Sequence, residues 1–204
     1  SDLYIDSMAN EKNFKKLASQ YDILHLAMHT ILNDSLPMFS RLAFARPTTG
    51  DSEDGWLNTH EIYNMKLNAR MAVLSACNTG KGRLQKGEGV MSLARGFLYA
   101  GCPSIIMTLW EVEDLSGTEI MKNFYDLIAE GKEKDDALRL AKLKHIKEAD
   151  PLKAHPHYLL GYVNIGNSEP LYSSKDVYFI LVIVFTLVLV AIDQIVRNKR
   201  KNRK

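Results

Sequence analysis

Residues 71–80 read Met-Ala-Val-Leu-Ser-Ala-Cys-Asn-Thr-Gly. The stretch 71–76 carries no charge, is too short for an ordinary helix, and is apolar enough for a strand buried on both faces. Cys77 stands at its carboxyl end, and glycines follow at 80, 82, 87 and 89. A similar apolar run at 23–28 is followed at once by His29, and a third spans 104–110. Apolar residues at helical spacing lie between and after these runs. Val90, Leu93, Ala94, Phe97 and Leu98 form one set, closed by Gly101 and Pro103. Ile120, Met121, Phe124, Leu127 and Ile128 form another, closed by Gly131, and 137–149 a third. A last strand reads at 159–165. Strand, helix, strand, helix, with uniformly apolar strands, predicts a mostly parallel sheet covered by helices on both faces, a three-layer α/β/α fold.

Upstream, Phe14, Leu17 and Ala18 share one helical face within 10–19, and Asn10 is placed to cap it. Asn58 with Glu61 three residues later makes a capping-box start for a short helix through 65. Residues 30–57 read as one long irregular loop, with Pro37, Pro47, Gly50 and Gly55 beside Asp51, Glu53 and Asp54.

The composition bounds what the chain can be. Hydrophobic residues make up 46% and charged residues 25% of 204, which excludes a disordered or collagen-like chain. Two cysteines exclude a disulfide-stapled scaffold and a four-cysteine zinc site. The net charge of +2 hides a split, because 197–204 (RNKRKNRK) carry six positive charges and leave residues 1–196 at −4. A mildly acidic body offers no basic face to nucleic acid, so none is expected as a partner.

In open parallel sheets, ligands sit beyond the carboxyl ends of the strands. That rule selects His29 and Cys77, which stand 48 positions apart in the chain, each read as lying just past a buried strand. A thiol becomes a nucleophile when a neighbouring base takes its proton. In caspases the Q-A-C-x-G nucleophile has its histidine about 50 residues upstream. Here the motif reads Ser75-Ala76-Cys77-Asn78-Thr79-Gly80. The plainer alternative is a structural thiol and an unrelated loop histidine.

The segment from Tyr21 to His29 (YDILHLAMH) resembles the histidine segment of CHAT domains, caspase-like cysteine peptidase domains often found behind tetratricopeptide (TPR) repeats in bacteria. The likeness continues through Pro37-Met38-Phe39-Ser40-Arg41-Leu42, Gly55 to Tyr63 (GWLNTHEIY) and Leu67-Asn68-Ala69-Arg70 into Val73 to Gly80. Gly87-Glu88-Gly89, Ala94 to Gly101 (ARGFLYAG), Leu109 to Asp114 (LWEVED), His155-Pro156-His157-Tyr158 and Val163-Asn164-Ile165-Gly166 resemble its later blocks. The resemblance covers 10–167 and implies a caspase-haemoglobinase-like fold whose first part lies upstream of Ser1. It implies His29 as base and Cys77 as nucleophile, forming an acyl-enzyme, with oxyanion donors from the backbone of Thr30 and Cys77. Relatives usually have glycine where this chain has Thr30. No cofactor or metal is implied, and the partners implied are a protein or peptide substrate and upstream TPR repeats. A silent scaffold of the same fold, binding partners without cleavage, is the alternative.

Separases, distant relatives of CHAT domains, carry a similar Trp-x-Val-x-Asp whose aspartate holds a basic P1 side chain. The resemblance carries that role to Asp114 within Trp110-Glu111-Val112-Glu113-Asp114. The simpler alternative is that Asp114 or Ser116 caps the next helix. His25 and His29 are four apart but lack the Glu of H-E-x-x-H, so His25 reads as a core histidine and zinc is not expected. Cys102 reads as packing, with a Cys77–Cys102 disulfide the conceivable exception.

Residues 177–192 (VYFILVIVFTLVLVAI) contain no charge. Sixteen helical residues span about 24 Å, and extension to Val196 brings the stretch near the roughly 30 Å of a bilayer core. With the basic tail directly after it, the expected layout is a CHAT domain at 1–168, a linker at 169–176, a transmembrane helix at 177–196 and a basic tail at 197–204. Positive charge after the span predicts a cytoplasmic tail and an extracytoplasmic catalytic domain. By the resemblance, the membrane is the bacterial plasma (inner) membrane, crossed once.

Overall fold

The computed structural model describes residues 1–47, 53–78, 88–110, 112–150, 155–172 and 183–186, with backbone alone at 76–78, 88–90 and 158. Six strands form one sheet: β1 (Ile23–Ile31), β2 (Arg41–Ala43), β3 (Trp56–Asn58), β4 (Met71–Asn78), β5 (Ser104–Thr108) and β6 (Tyr162–Gly166). Their order is β3-β2-β1-β4-β5-β6. β4 runs parallel to β1 and to β5, whereas β2, β3 and β6 add antiparallel pairs at the two sides.

The sheet is therefore mixed, not mostly parallel. One cause lies in 30–57, read from sequence as a loop but containing the β2–β3 hairpin. Each of its strands has three residues and a single buried side chain, Leu42 or Leu57, which is too short a pattern for alternation to register. The other cause lies after β5, where the long connection through α4 (Asp114–Ala129) and α5 (Lys134–Glu148) delivers β6 antiparallel to β5.

The helices follow their sequence signals. Asn10 caps α1 (Glu11–Leu17), its Oδ1 accepting from the Asn13 N–H at 2.8 Å. At the start of α2 (Thr59–Tyr63), the Asn58 N–H donates to Glu61 Oε2 at 2.9 Å. α3 (Glu88–Tyr99) gives way to Gly101, which has φ +107° and lies so close to the Leu67 carbonyl that a Cβ would meet that oxygen at 2.7 Å. Residue 159, read as strand, closes the helical turn α6 (Pro156–Leu159) instead.

Two apolar layers sandwich the sheet. Leu24, Leu26, Leu74 and Ile105 pack with Ala18, Ile62 and Phe97 from the α1–α3 side. Met71, Val73 and Ile106 pack with Ile120, Phe124 and Ala137 from the α4–α5 side. β1 shares fully only in the first layer, since Leu24, Leu26 and Thr30 are buried while His25, Ala27 and His29 are exposed. The second face of β1 thus forms an open shelf along its carboxyl half.

The chain divides after Leu171, which is packed in the second core, into a main unit and a second unit of Tyr172–Lys204. In the second unit only Tyr172 and 183–186, one helical turn, are described, so most of the expected span at 177–196 and all of the tail lie outside the described residues. No helix among the described residues is long and apolar enough to cross a membrane. The glycine-rich residues 80–87 also fall outside them.

Candidate active site

The β1–β4 ladder aligns eight residue pairs, from Ile23 with Met71 to Thr30 with Asn78. Its seventh pair is His29 with Cys77. Residues 48 apart in the chain thus become neighbours on adjacent strands, whose axes lie about 4.8 Å apart. Both strands run further than expected, β1 to Ile31 and β4 to Asn78, so both residues stand inside the last rungs, not just past them. His29 is exposed, on the shelf face of β1.

Thr30 is the last rung. It is flanked by Leu42 and Asn78, and its side chain is buried on the opposite face from His29. Asp114 opens α4 and is exposed. Neither Asp114 nor Ser116 caps that helix. Glu113 does, its carboxylate accepting from the Ser116 hydroxyl at 2.6 Å and the Ser116 N–H at 3.4 Å. Asp114 is left with its carbonyl accepting from the Thr118 hydroxyl at 2.7 Å. Glu111 is not among the described residues.

Four features around these residues escaped the sequence reading. His25 is not a core residue. It lies on the shelf face of β1 but in the strand's amino half, stacked on Tyr125 of α4 with ring centroids 5.7 Å apart and its Nδ1 2.9 Å from the tyrosine hydroxyl. Although His25 is partly open to solvent, desolvation of its ring holds it below the ordinary imidazole range, and burial pushes Tyr125 above the ordinary phenol range. Trp110, packed on the second core, stacks on His157 at 5.8 Å and donates its indole N–H to the His157 carbonyl at 2.7 Å. Gly161 permits this, since a Cβ there would meet Val112 at 2.9 Å and the indole nitrogen at 3.2 Å.

The third feature is a clasp. Lys15 Nζ lies 2.6 Å from Glu11, 2.6 Å from Glu53 and 2.8 Å from Glu61, while Glu11, buried, also accepts from the Gly55 N–H at 2.9 Å. Burial raises the Glu11 carboxyl more than its bonds lower it. Burial works against the Lys15 ammonium too, but three carboxylates outweigh it and hold the lysine above its ordinary range. The three carboxylates have the spacing of a cation site, and the lysine ammonium sits among them. The group ties α1 and α2 to the segment leading into β3.

The fourth feature is Arg41, whose guanidinium carbon lies 4.2 Å from the ring centroid of Trp56 on the next strand. A signal for it existed in Arg41-Leu42-Ala43 and Trp56-Leu57-Asn58, where the buried leucines force their neighbours onto the other face. Cys102 fills the first core as a free thiol, its Sγ 3.5 Å from the Ser104 carbonyl, and burial pushes its pKa up to about 11. A Cys77–Cys102 disulfide is thereby excluded.

Comparison with known proteins agrees with this geometry. Residues 1–167 match the CHAT domain family. Tetratricopeptide repeat protein 28 from Homo sapiens and its counterpart from Mus musculus are each 22% identical over 202 residues. The match covers 84% of this chain but only 8% of either relative, so the chain corresponds to a small part of those proteins. An α/β sheet flanked by helices, a His/Cys register pair and a family match over 1–167 lead to one conclusion: the chain belongs to the CHAT domain family, within the caspase-like peptidase clan.

Proposed function

We propose that this chain is a caspase-like cysteine endopeptidase that uses His29 and Cys77 as a dyad. The observation that carries the reading is their register pairing at the last rungs of two parallel strands, with His29 exposed on a face that helices leave open. The His29 imidazole takes the Cys77 thiol proton, and the thiolate attacks the scissile carbonyl carbon. The resulting oxyanion is held by the backbone N–H groups of Cys77 and Thr30, the latter at the rung where the β1–β4 ladder ends. Collapse breaks the C–N bond, and His29 returns its proton to the leaving amine, which leaves a thioester on Cys77. Water, deprotonated by His29, then hydrolyses the thioester and regenerates the thiol.

Asp114, exposed beyond β5, supplies a carboxylate to pair with an Arg or Lys side chain at P1. The TPR-containing relatives support protein partners and placement beside TPR repeats, and the apolar stretch 177–196 with its basic tail supports a single-pass anchor.

The test offers fluorogenic peptides with Arg, Lys or Asp at P1 to the intact chain and to the Cys77→Ala, His29→Ala and Asp114→Ala variants. The reading expects cleavage after Arg and Lys, falling by roughly 10³-fold or more in the first two variants. It expects a loss confined to basic P1 in the third. No cleavage, with no labelling of Cys77 by an electrophilic probe, would leave the silent scaffold in its place.

A further inference from the structure

The Arg41–Trp56 stack lies on the same sheet face as His29. Leu42, paired with Thr30, is buried in the first core, so Arg41, paired with Ile31, falls on the shelf face. Trp56 pairs with Ala43, one residue beyond the partner of Thr30, which brings it level with His29 two strands away. Two strand spacings are about 10 Å, the reach of roughly three residues of extended peptide. Between them the floor is small or open: Ala27 and His29 are exposed, Ala43 is half-buried, and Ile31 is 37% exposed.

No described carboxylate pairs with Arg41: Glu53 and Glu61 are bound to Lys15, and Asp54 accepts from the Trp56 N–H at 2.9 Å. Stacking on an indole orients the guanidinium plane without satisfying its N–H donors, which suit a carboxylate in bidentate geometry. A preoriented side chain also loses less conformational freedom on binding than a free one.

We infer that Arg41, held on Trp56, is a specificity-determining subsite that receives an acidic side chain of the substrate two to four residues from the scissile bond. This rests on the peptidase reading but asks something separate: the P1 carboxylate Asp114 selects a basic residue, and Arg41 selects an acidic one at a fixed distance from it.

The test reads binding, so it survives a silent dyad. Fluorescein-labelled octapeptides of alanine with one central Arg carry a single Glu, or Gln as control, walked through the other positions. Their affinity for the intact chain in a Cys77→Ala background is measured by fluorescence anisotropy. One Glu position is expected to bind roughly tenfold tighter than its Gln control, with the gain falling as salt is raised. Arg41→Gln should abolish the gain, and Trp56→Ala should reduce it. Arg41→Glu should transfer the preference to a Lys-containing peptide at the same position, a gain that misfolding could not produce. Equal binding of Glu and Gln at every position, or a Glu preference that survives Arg41→Glu, would overturn the inference. Absence of turnover by the unsubstituted chain, with this preference intact, would count against the dyad alone.

Discussion

At the residue scale, Cys102 is a packing thiol of the first core. Cys102 is buried, and its pKa is pushed up to about 11 by that burial, so it should resist alkylation at neutral pH in the native state. Peptide mapping after iodoacetamide treatment should find Cys102 unmodified until the chain is unfolded. His25 gives a pH prediction. Desolvation of its ring holds its folded-state pKa below the ordinary 6.5, so the folded chain prefers the neutral ring. Above about pH 6.5 both states are neutral and nothing is lost. As pH falls through that value the unfolded chain takes up its proton first, and stability declines until the lower folded-state value is passed. Denaturant melts across pH 7 to 5 should show this decline, and His25→Gln should flatten it.

At the element scale, the clasp at Lys15 joins α1, α2 and the approach to β3. Lys15→Met leaves the buried Glu11 without its ammonium and should cost about 3 kcal/mol. Adding Glu11→Gln should recover part of that loss, which a double-mutant cycle by chemical denaturation would read. Lys134 has a similar structural task. Buried in α5, it donates to the carbonyls of Asn167 at 3.2 Å and Glu169 at 2.7 Å, and burial, followed by the Arg70 charge, lowers its pKa. Lys134→Met should cost about 1–3 kcal/mol by stranding those carbonyls, lowering Tm by several degrees. The elements themselves were largely legible in the sequence. The caps at Asn10 and Asn58, the stop at Gly101 and the helices over β4–β6 follow from local chemistry visible in a few residues. The β2–β3 hairpin was not, because three-residue strands with one buried leucine each carry no measurable period. β6 reads as a strand, but its direction is set by how the long connection through α4 and α5 returns the chain, which no local pattern carries.

At the scale of the whole molecule, the candidate site exists because a ladder makes neighbours of residues 48 apart. Sequence could nominate His29 and Cys77 by their strand ends. Their shared rung is a property of register, set by which apolar residues of β1 and β4 enter the same core layer. The shelf beside them, Trp110 on His157 and Arg41 on Trp56, depends on tertiary placement that no single segment encodes. The proposed membrane anchor at 177–196 is also tested at this scale. The intact chain should partition into the detergent phase of a phase-separation assay, and a variant ending at Tyr172 should move to the aqueous phase with its far-ultraviolet circular dichroism retained. The dyad is tested most directly by the alkylation rate of Cys77 at pH 7, measured by mass spectrometry in the intact chain and in His29→Ala. If His29 activates the thiol, the variant should react at least about tenfold more slowly while Cys102 stays unmodified in both. Equal rates at Cys77 in the two proteins would contradict the dyad.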